Sequence, residues 1–263
     1  MGGFYLAVLP FLIVIAAYAV ASGVRLAENP NDKLLPSFAS FGDAIVRMAF
    51  EPDRRTGDLL LWVDTAASLG RLALGLGFAT AGGLVFGIAI GLLPYVRAGL
   101  ATFIAVVSMI PPMALLPILF IALGLGEVSK VALIVLGIMP FMIRDLSQRV
   151  GELPKEQIIK DETLGASTWQ IVTRVVLPQV TPRLIDALRL SLGPAWLFLI
   201  AAEAIAATEG LGYRIFLVRR YLAMDVILPY VVWITFLAFL FDFVLRHIRA
   251  RAFPWAAQGQ GAS

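Results

Sequence analysis

Few residues in this chain could carry out chemistry, and the shortness of the inventory is informative. Cysteine is absent, and His247 is the single histidine, set among Arg246, Arg249 and Arg251. Thiolate chemistry, a zinc cluster and a serine-histidine triad therefore have no place to form. No Gly-Lys dipeptide occurs, so the Gly-x-x-x-x-Gly-Lys-[Ser/Thr] loop that cradles nucleotide phosphates is missing. What stands out instead is Glu203, a carboxylate closing the uncharged run 190–202. A carboxylate adjoining an apolar span is costly unless it is paired or wet. Two readings follow: an ion pair with Arg214, Arg219 or Arg220 nearby in sequence, or contact with a solute in a water-lined cavity.

The elements that would position these residues are apolar. Of 263 residues, 60% are hydrophobic and 15% charged, against roughly 25% charged in a soluble domain. With a mean hydropathy of +0.88, this excess needs lipid and excludes disordered, fibrous and nucleic-acid-binding classes. Residues 4–24 are long enough to cross a hydrocarbon core of about 30 Å. Ala17-Tyr18-Ala19 and Ala19-Val20-Ala21 resemble signal-peptide cleavage sites, but no Lys or Arg precedes this stretch and it is too long, so it reads as a span. Charge-free runs lie between Arg71 and Arg97 and between Arg97 and Glu127, and weaker segments follow at 131–143, 190–202 and 226–241. Six spans are expected, giving an all-α integral membrane protein. Pro111-Pro112 and Pro117 should break or kink the third span.

The basic tail places both termini in the cytoplasm, although the first outer segment is itself basic, with Arg25, Lys33, Arg47, Arg54 and Arg55. The organisation reads as a first span (1–25), an extracytoplasmic connection (26–63), a five-span core (64–254) with a cytoplasmic loop (144–183), and a tail (255–263). In the second span Gly75, Ala79, Gly83, Gly87 and Gly91 recur every four residues, a smooth stripe for intrachain helix packing rather than a pore surface.

The loop from Arg144 to Arg183 is too patterned for a linker. Pro154 can open a helix, Lys155 to Leu164 are good helix formers, and Gly165 can take the positive φ that ends one. An amphipathic piece then starts at Ser167 and is expected to stop at Pro178. Two short helices joined at a glycine make a rigid knob suited to another protein's groove.

These residues closely resemble the cytoplasmic loop of binding-protein-dependent ABC importer permeases. That pattern is Glu-Ala-Ala, three residues, Gly, nine residues, Ile, one residue, Leu-Pro. Gly165 takes the glycine, Val175 the isoleucine and Leu177-Pro178 the ending, while Ile159, Lys160 and Asp161 replace the name-giving triplet. Asp161 or Glu162 can supply a carboxylate from a neighbouring turn. Leu34-Leu35-Pro36-Ser37, the run from Ile110 to Pro117, the run from Leu123 to Lys130, Ala202-Glu203 and Glu209-Gly210-Leu211-Gly212-Tyr213 further resemble the nitrate/sulfonate/taurine/bicarbonate branch.

The resemblance implies a type I (MetI-like) permease in the cell inner membrane, pairing with a second permease copy. Two ABC ATPase subunits, which bind the ATP and Mg, would dock below, and an extracytoplasmic binding protein would deliver a small polar solute. This chain itself would be no enzyme, hold no cofactor or metal, and bind no nucleic acid. The knob would couple to the ATPase through Lys155, Ile159, Lys160, Asp161, Glu162, Thr163, Leu164, Gly165 and Ala166. The translocation path would run by the break at Ser108, Met109, Pro111 and Pro112, by Trp196 and by Glu203, because broken or short helices line water. For the proline pair a mere bend, and for Trp196 an interfacial or core position, stand as equal readings. Glu209, Gly210, Gly212, Tyr213, Arg214, Arg219 and Arg220 would form an outer loop dipping toward the cavity or meeting the binding protein. A secondary transporter driven by an ion gradient is the competing class. It needs ionisable relays deep within spans, and a lipid-modifying enzyme needs a clustered acid or metal site that the sequence lacks.

Overall fold

The computed structural model describes residues 2–30 and 32–255, so the tail from 256 onward lies outside the described residues. The described secondary structure is helical: α1 (Gly2–Glu28), α2 (Phe38–Ala49), α3 (Leu60–Leu92), α4 (Pro94–Val107), α5 (Pro112–Leu123), α6 (Glu127–Gly151), α7 (Lys155–Thr163), α8 (Thr168–Ile171), a π-helical turn (Val172–Val176), α9 (Leu177–Ala206), α10 (Leu211–Arg219) and α11 (Met224–Ala252). Four helical stretches are long and apolar enough to cross a membrane: Val8–Glu28, Leu60–Leu92, Thr168–Ala206 and Met224–Ala252. The pair α4 and α5, bent by 95° at a short break, passes the same test together. The 25-residue α6 is long enough as well, but Glu127, Lys130, Arg144, Asp145 and Arg149 confine its uncharged run to 131–143.

The second span begins earlier than its charge-free run. Helix α3 starts at Leu60 and carries Asp64 and Arg71 inside it. Likewise the helix entering the fifth span does not stop at Pro178. The residues 172–176 form a π turn, and the Leu177 N–H bonds the Val172 carbonyl five residues back. Widening the turn re-registers the hydrogen bonds just where Pro178 supplies no N–H, so the helix runs on to Ala206.

The chain divides into two compact units. In the first (residues 1–67 and 208–235), α1 is tied to the segment after it. Tyr18 donates to the Pro36 carbonyl at 2.7 Å, and buried Ser22 donates to the Leu35 carbonyl at 2.9 Å. In that connecting segment the Leu34 N–H, with Arg25, holds the Asp32 carboxyl below the usual carboxylate range. Ser37 caps α2, and the Trp62 indole N–H closes its other end on the Ala49 carbonyl at 3.0 Å.

In the second unit (68–207 and 236–263) the glycine stripe of α3 lies on α6. A Cβ built on Gly75, Gly83 or Gly87 would stand 2.6, 2.8 or 2.7 Å from Ile134, Met142 or Leu146, so backbone meets side chain with no room for a methyl. The packing reading of the stripe is the observed one. Arg97 closes α3 by donating to the Ile90 and Gly91 carbonyls. The start of α9 is laced to the end of α11 by Arg189–Asp242 at 2.8 Å and Arg249–Asp186 at 3.1 Å.

Candidate functional site

The knob is built by local sequence alone. At the end of α7 the Ala166 N–H bonds the Asp161 carbonyl and the Gly165 N–H bonds the Glu162 carbonyl, both at 2.9 Å, with Gly165 at φ +81°. This is a Schellman stop, whose left-handed residue is favoured as glycine. Two residues later Ser167 and Gln170 form a reciprocal capping box that opens α8. Lys155, Lys160, Glu162 and Thr163 are solvent-exposed, and Ile159 and Leu164 present apolar surface at 59% and 76% exposure. Asp161 is half-buried and lines, with Leu164, Gly165, Ala166, Gln170 and Arg174, a recess of about 280 Å³. Trp169, 73% exposed, stands beside it and is not among the knob residues expected from sequence.

The break in the third span falls at the proline pair. Pro111 sits outside α5 in extended conformation and Pro112 is its first residue, the position a proline tolerates best. Ser108 caps α4, its hydroxyl donating to the Ala105 carbonyl at 2.8 Å and accepting from Arg144 Nη1 at 2.9 Å. Met109 is left 73% exposed. Trp196 is 4% exposed, which places it in the core of α9 rather than at an interface, and its indole N–H has no hydrogen-bond partner among the described residues.

Glu203 is fully buried in the last turn of α9. Where the sequence offered Arg214, Arg219 or Arg220 as its partner, the structure supplies Arg71 of α3, at 2.7 Å from Nη1, and the Ser68 hydroxyl at 2.8 Å. Arg71, itself 4% exposed, also donates to Glu127 from Nε and Nη2, and buried Lys130 reaches Glu127 at 2.8 Å. Two cations thus alternate with two carboxylates across α3, α6 and α9. Sequence reading missed this because it treated Arg71, Glu127 and Lys130 as the ends of spans. The signal was spacing, with Ser68 and Arg71 three residues apart on one helical face and Glu127 and Lys130 likewise.

The outer segment departs from expectation too. Residues 211–219 of it form the helix α10 rather than a loop, entered through Gly210 at φ +128° and left through Leu222 at φ +55°. The segment is held by Asp64, a fully buried carboxylate absent from the sequence candidates. Asp64 accepts from the Gly210 N–H at 2.9 Å, from Arg214 Nε at 2.7 Å and from the Tyr230 hydroxyl at 3.1 Å. Leu211 and Gly212 are buried, Tyr213 is half-buried beneath the Arg214 guanidinium, Arg219 lies 4.9 Å from the Phe216 ring centre, and Glu209 and Arg220 are exposed. Arg214 is therefore committed to a structural ion pair, which leaves Arg219 and Arg220 as the cations of this segment nearest to solvent.

The family described as binding-protein-dependent transport system inner membrane component matches residues 83–254. The taurine transport system permease protein of Escherichia coli is 39% identical over 77% of this chain and 74% of its own length. A putative ABC transporter permease protein of Methanocaldococcus jannaschii is 31% identical over 86% and 84%. Among solved structures, the inward-facing MetNI methionine ABC transporter superposes with a TM-score of 0.64 at 22% identity, covering 73% of this chain and 95% of that one.

Proposed function

Because the chain belongs to the family of binding-protein-dependent transport system inner membrane components, as the transmembrane permease subunit of an ABC importer, we propose that it works as one half of a twofold permease pair. A separate ATPase engages the knob from the cytoplasm and hydrolyses ATP with Mg, and this chain contributes no phosphate loop. A binding protein meets the opposite face and releases a small polar solute into a path beside the broken third span. Taurine and bicarbonate, which name the systems of two relatives, are solutes of this kind.

The observation that carries the reading is the knob. A Schellman stop and a capping box two residues apart fix α7 against α8 without help from the core, while Ile159 and Leu164 remain uncovered. A stiff element with unsatisfied apolar surface transmits displacement, and the π turn joins it directly to the 30-residue α9. ATP binding would draw two such knobs together and rock the attached spans, shifting the cavity between its two openings. The ion-gradient reading fares less well, since the buried ionisable groups Asp64, Arg71 and Glu203 are each held in hydrogen-bonded pairs rather than lined up as a relay.

The test is co-purification of the tagged chain with an ATPase, followed by ATPase assays in vesicles with and without a substrate-loaded binding protein. Stimulation that disappears when Gly165 becomes Val, with assembly in the membrane intact, is expected. Gradient-driven uptake without ATP would reject the reading.

A further inference from the structure

A groove of about 420 Å³ opens beside the broken span, walled by Ile90 of α3, by Ala101, Ile104 and Ala105 of α4, and by Phe141, Ile143, Arg144, Asp145, Ser147 and Gln148 of α6. Its volume is more than ten times the roughly 30 Å³ share of a water molecule, room enough for a small organic ion. One cation stands in its wall. Arg144 is exposed, and its side chain donates to the Ser108 hydroxyl at 2.9 Å without an ion-pair partner among the described residues. The carboxylate beside it, Asp145, is directed to Arg149 at 3.7 Å. Among the arginines packed within this unit, Arg71 is employed on Glu203 and Glu127, Arg97 on two carbonyls and Arg189 on Asp242.

The break supplies the complementary polarity. Pro112 has no N–H, so the Ser108 carbonyl loses the donor that a continuous helix would give it, on the same residue whose hydroxyl Arg144 holds. A guanidinium with open donors beside a hydroxyl and a freed carbonyl selects an oxyanion headgroup and tolerates a donor next to it.

We propose that this groove is a cargo subsite for a sulfonate- or carboxylate-bearing solute, with Arg144 as the contact that receives its anionic group. The inference deepens the permease reading and rests on it, since it takes the broken span as a wall of the path. The same chemistry would also hold a lipid phosphate, and the test separates the two sources.

The absence of cysteine makes that test direct. In membrane vesicles holding the full chain with its ATPase, Ala105→Cys is reacted with the anionic sulfonatoethyl methanethiosulfonate and with the cationic trimethylammonioethyl analogue, each rate normalised to a free thiol in solution. Steering by a local cation predicts that the sulfonate reagent reacts about fivefold faster or more. The preference should vanish with Arg144→Gln and survive with Arg144→Lys. Ile104→Cys, on the same wall, repeats the measurement at an independent position.

Equal rates for the two reagents, or a preference that survives Arg144→Gln, overturns the proposal. So does labelling that appears only after detergent extraction, which would mean that lipid headgroups fill the groove. ATP-dependent uptake and ATPase co-purification on the same preparations test the permease reading separately, so charge-blind labelling in a working importer rejects the subsite alone.

Discussion

Arg71 Nη1 lies 2.7 Å from Glu203 Oε1, and both side chains are at least 96% buried. A pair so enclosed is weak evidence of net stabilisation, yet removing one partner strands the other charge. Glu203→Gln should therefore destabilise the complex by about 3 kcal/mol, read as a lowered thermal unfolding midpoint in detergent. Adding Arg71→Met should recover part of the loss, the mark of a coupled pair. Unchanged stability with altered transport would instead move Glu203 from a structural role to the path.

Asp64→Asn should loosen α10 specifically. The carboxylate is the common acceptor for Gly210, Arg214 and Tyr230, and the amide that replaces it offers no charge to Arg214. Hydrogen exchange across residues 211–219 should quicken by tenfold or more, equivalent to about 1.4 kcal/mol of lost local protection, while exchange in α6 stays unchanged.

Gly165→Val tests the knob by backbone alone, because nothing lies within 4 Å of a Cβ placed there and no clash contributes. The left-handed φ costs a β-branched residue about 1–2 kcal/mol, whereas asparagine tolerates it. Valine should uncouple ATP hydrolysis from transport, and Gly165→Asn should retain most of it.

The stripe on α3 gives a matched pair. Gly87→Leu forces a side chain onto Leu146 and should prevent accumulation of folded protein. Gly77→Ala, on the open side of the same helix, meets nothing within 4 Å and should be neutral or stabilising by about 0.5–1 kcal/mol. The yield of folded protein for Gly87→Leu and the melting curve of Gly77→Ala decide it.

Orientation is accessible to an impermeant maleimide. Glu51→Cys, following α2, should label in intact cells, and Glu156→Cys, in α7, only after permeabilisation. The reverse pattern would invert the topology.

Much of this was legible in the residues because the signals were local. Pro111-Pro112 announces the break, the four-residue glycine spacing announces a packed stripe, and Gly165 with Ser167 announces the stop and restart of a helix. What escaped was decided by tertiary pairing. A charge near the end of an apolar run looks like the end of a span, so Asp64 and Arg71 were placed at or beyond a membrane boundary, although partners 132 to 150 residues away make their burial tolerable. Proline was also over-read at position 178, since its missing N–H can be absorbed by a widened turn as well as by a break.

The glycine stripe carries one more consequence. Gly75, Gly83, Gly87 and Gly91 each meet the residue 59 positions later, Ile134, Met142, Leu146 and Val150. A constant, positive offset means that α3 and α6 point the same way. A chain that leaves one helix and enters a neighbour running in the same direction has to travel back the full height between them. The bent pair α4 and α5 is the helical structure that joins them, so despite its 95° angle it makes a complete return passage and not a re-entrant dip. That parity puts Glu127 and Lys130 at the same level as Arg71 and lets a single ionic cluster tie three helices together at one end.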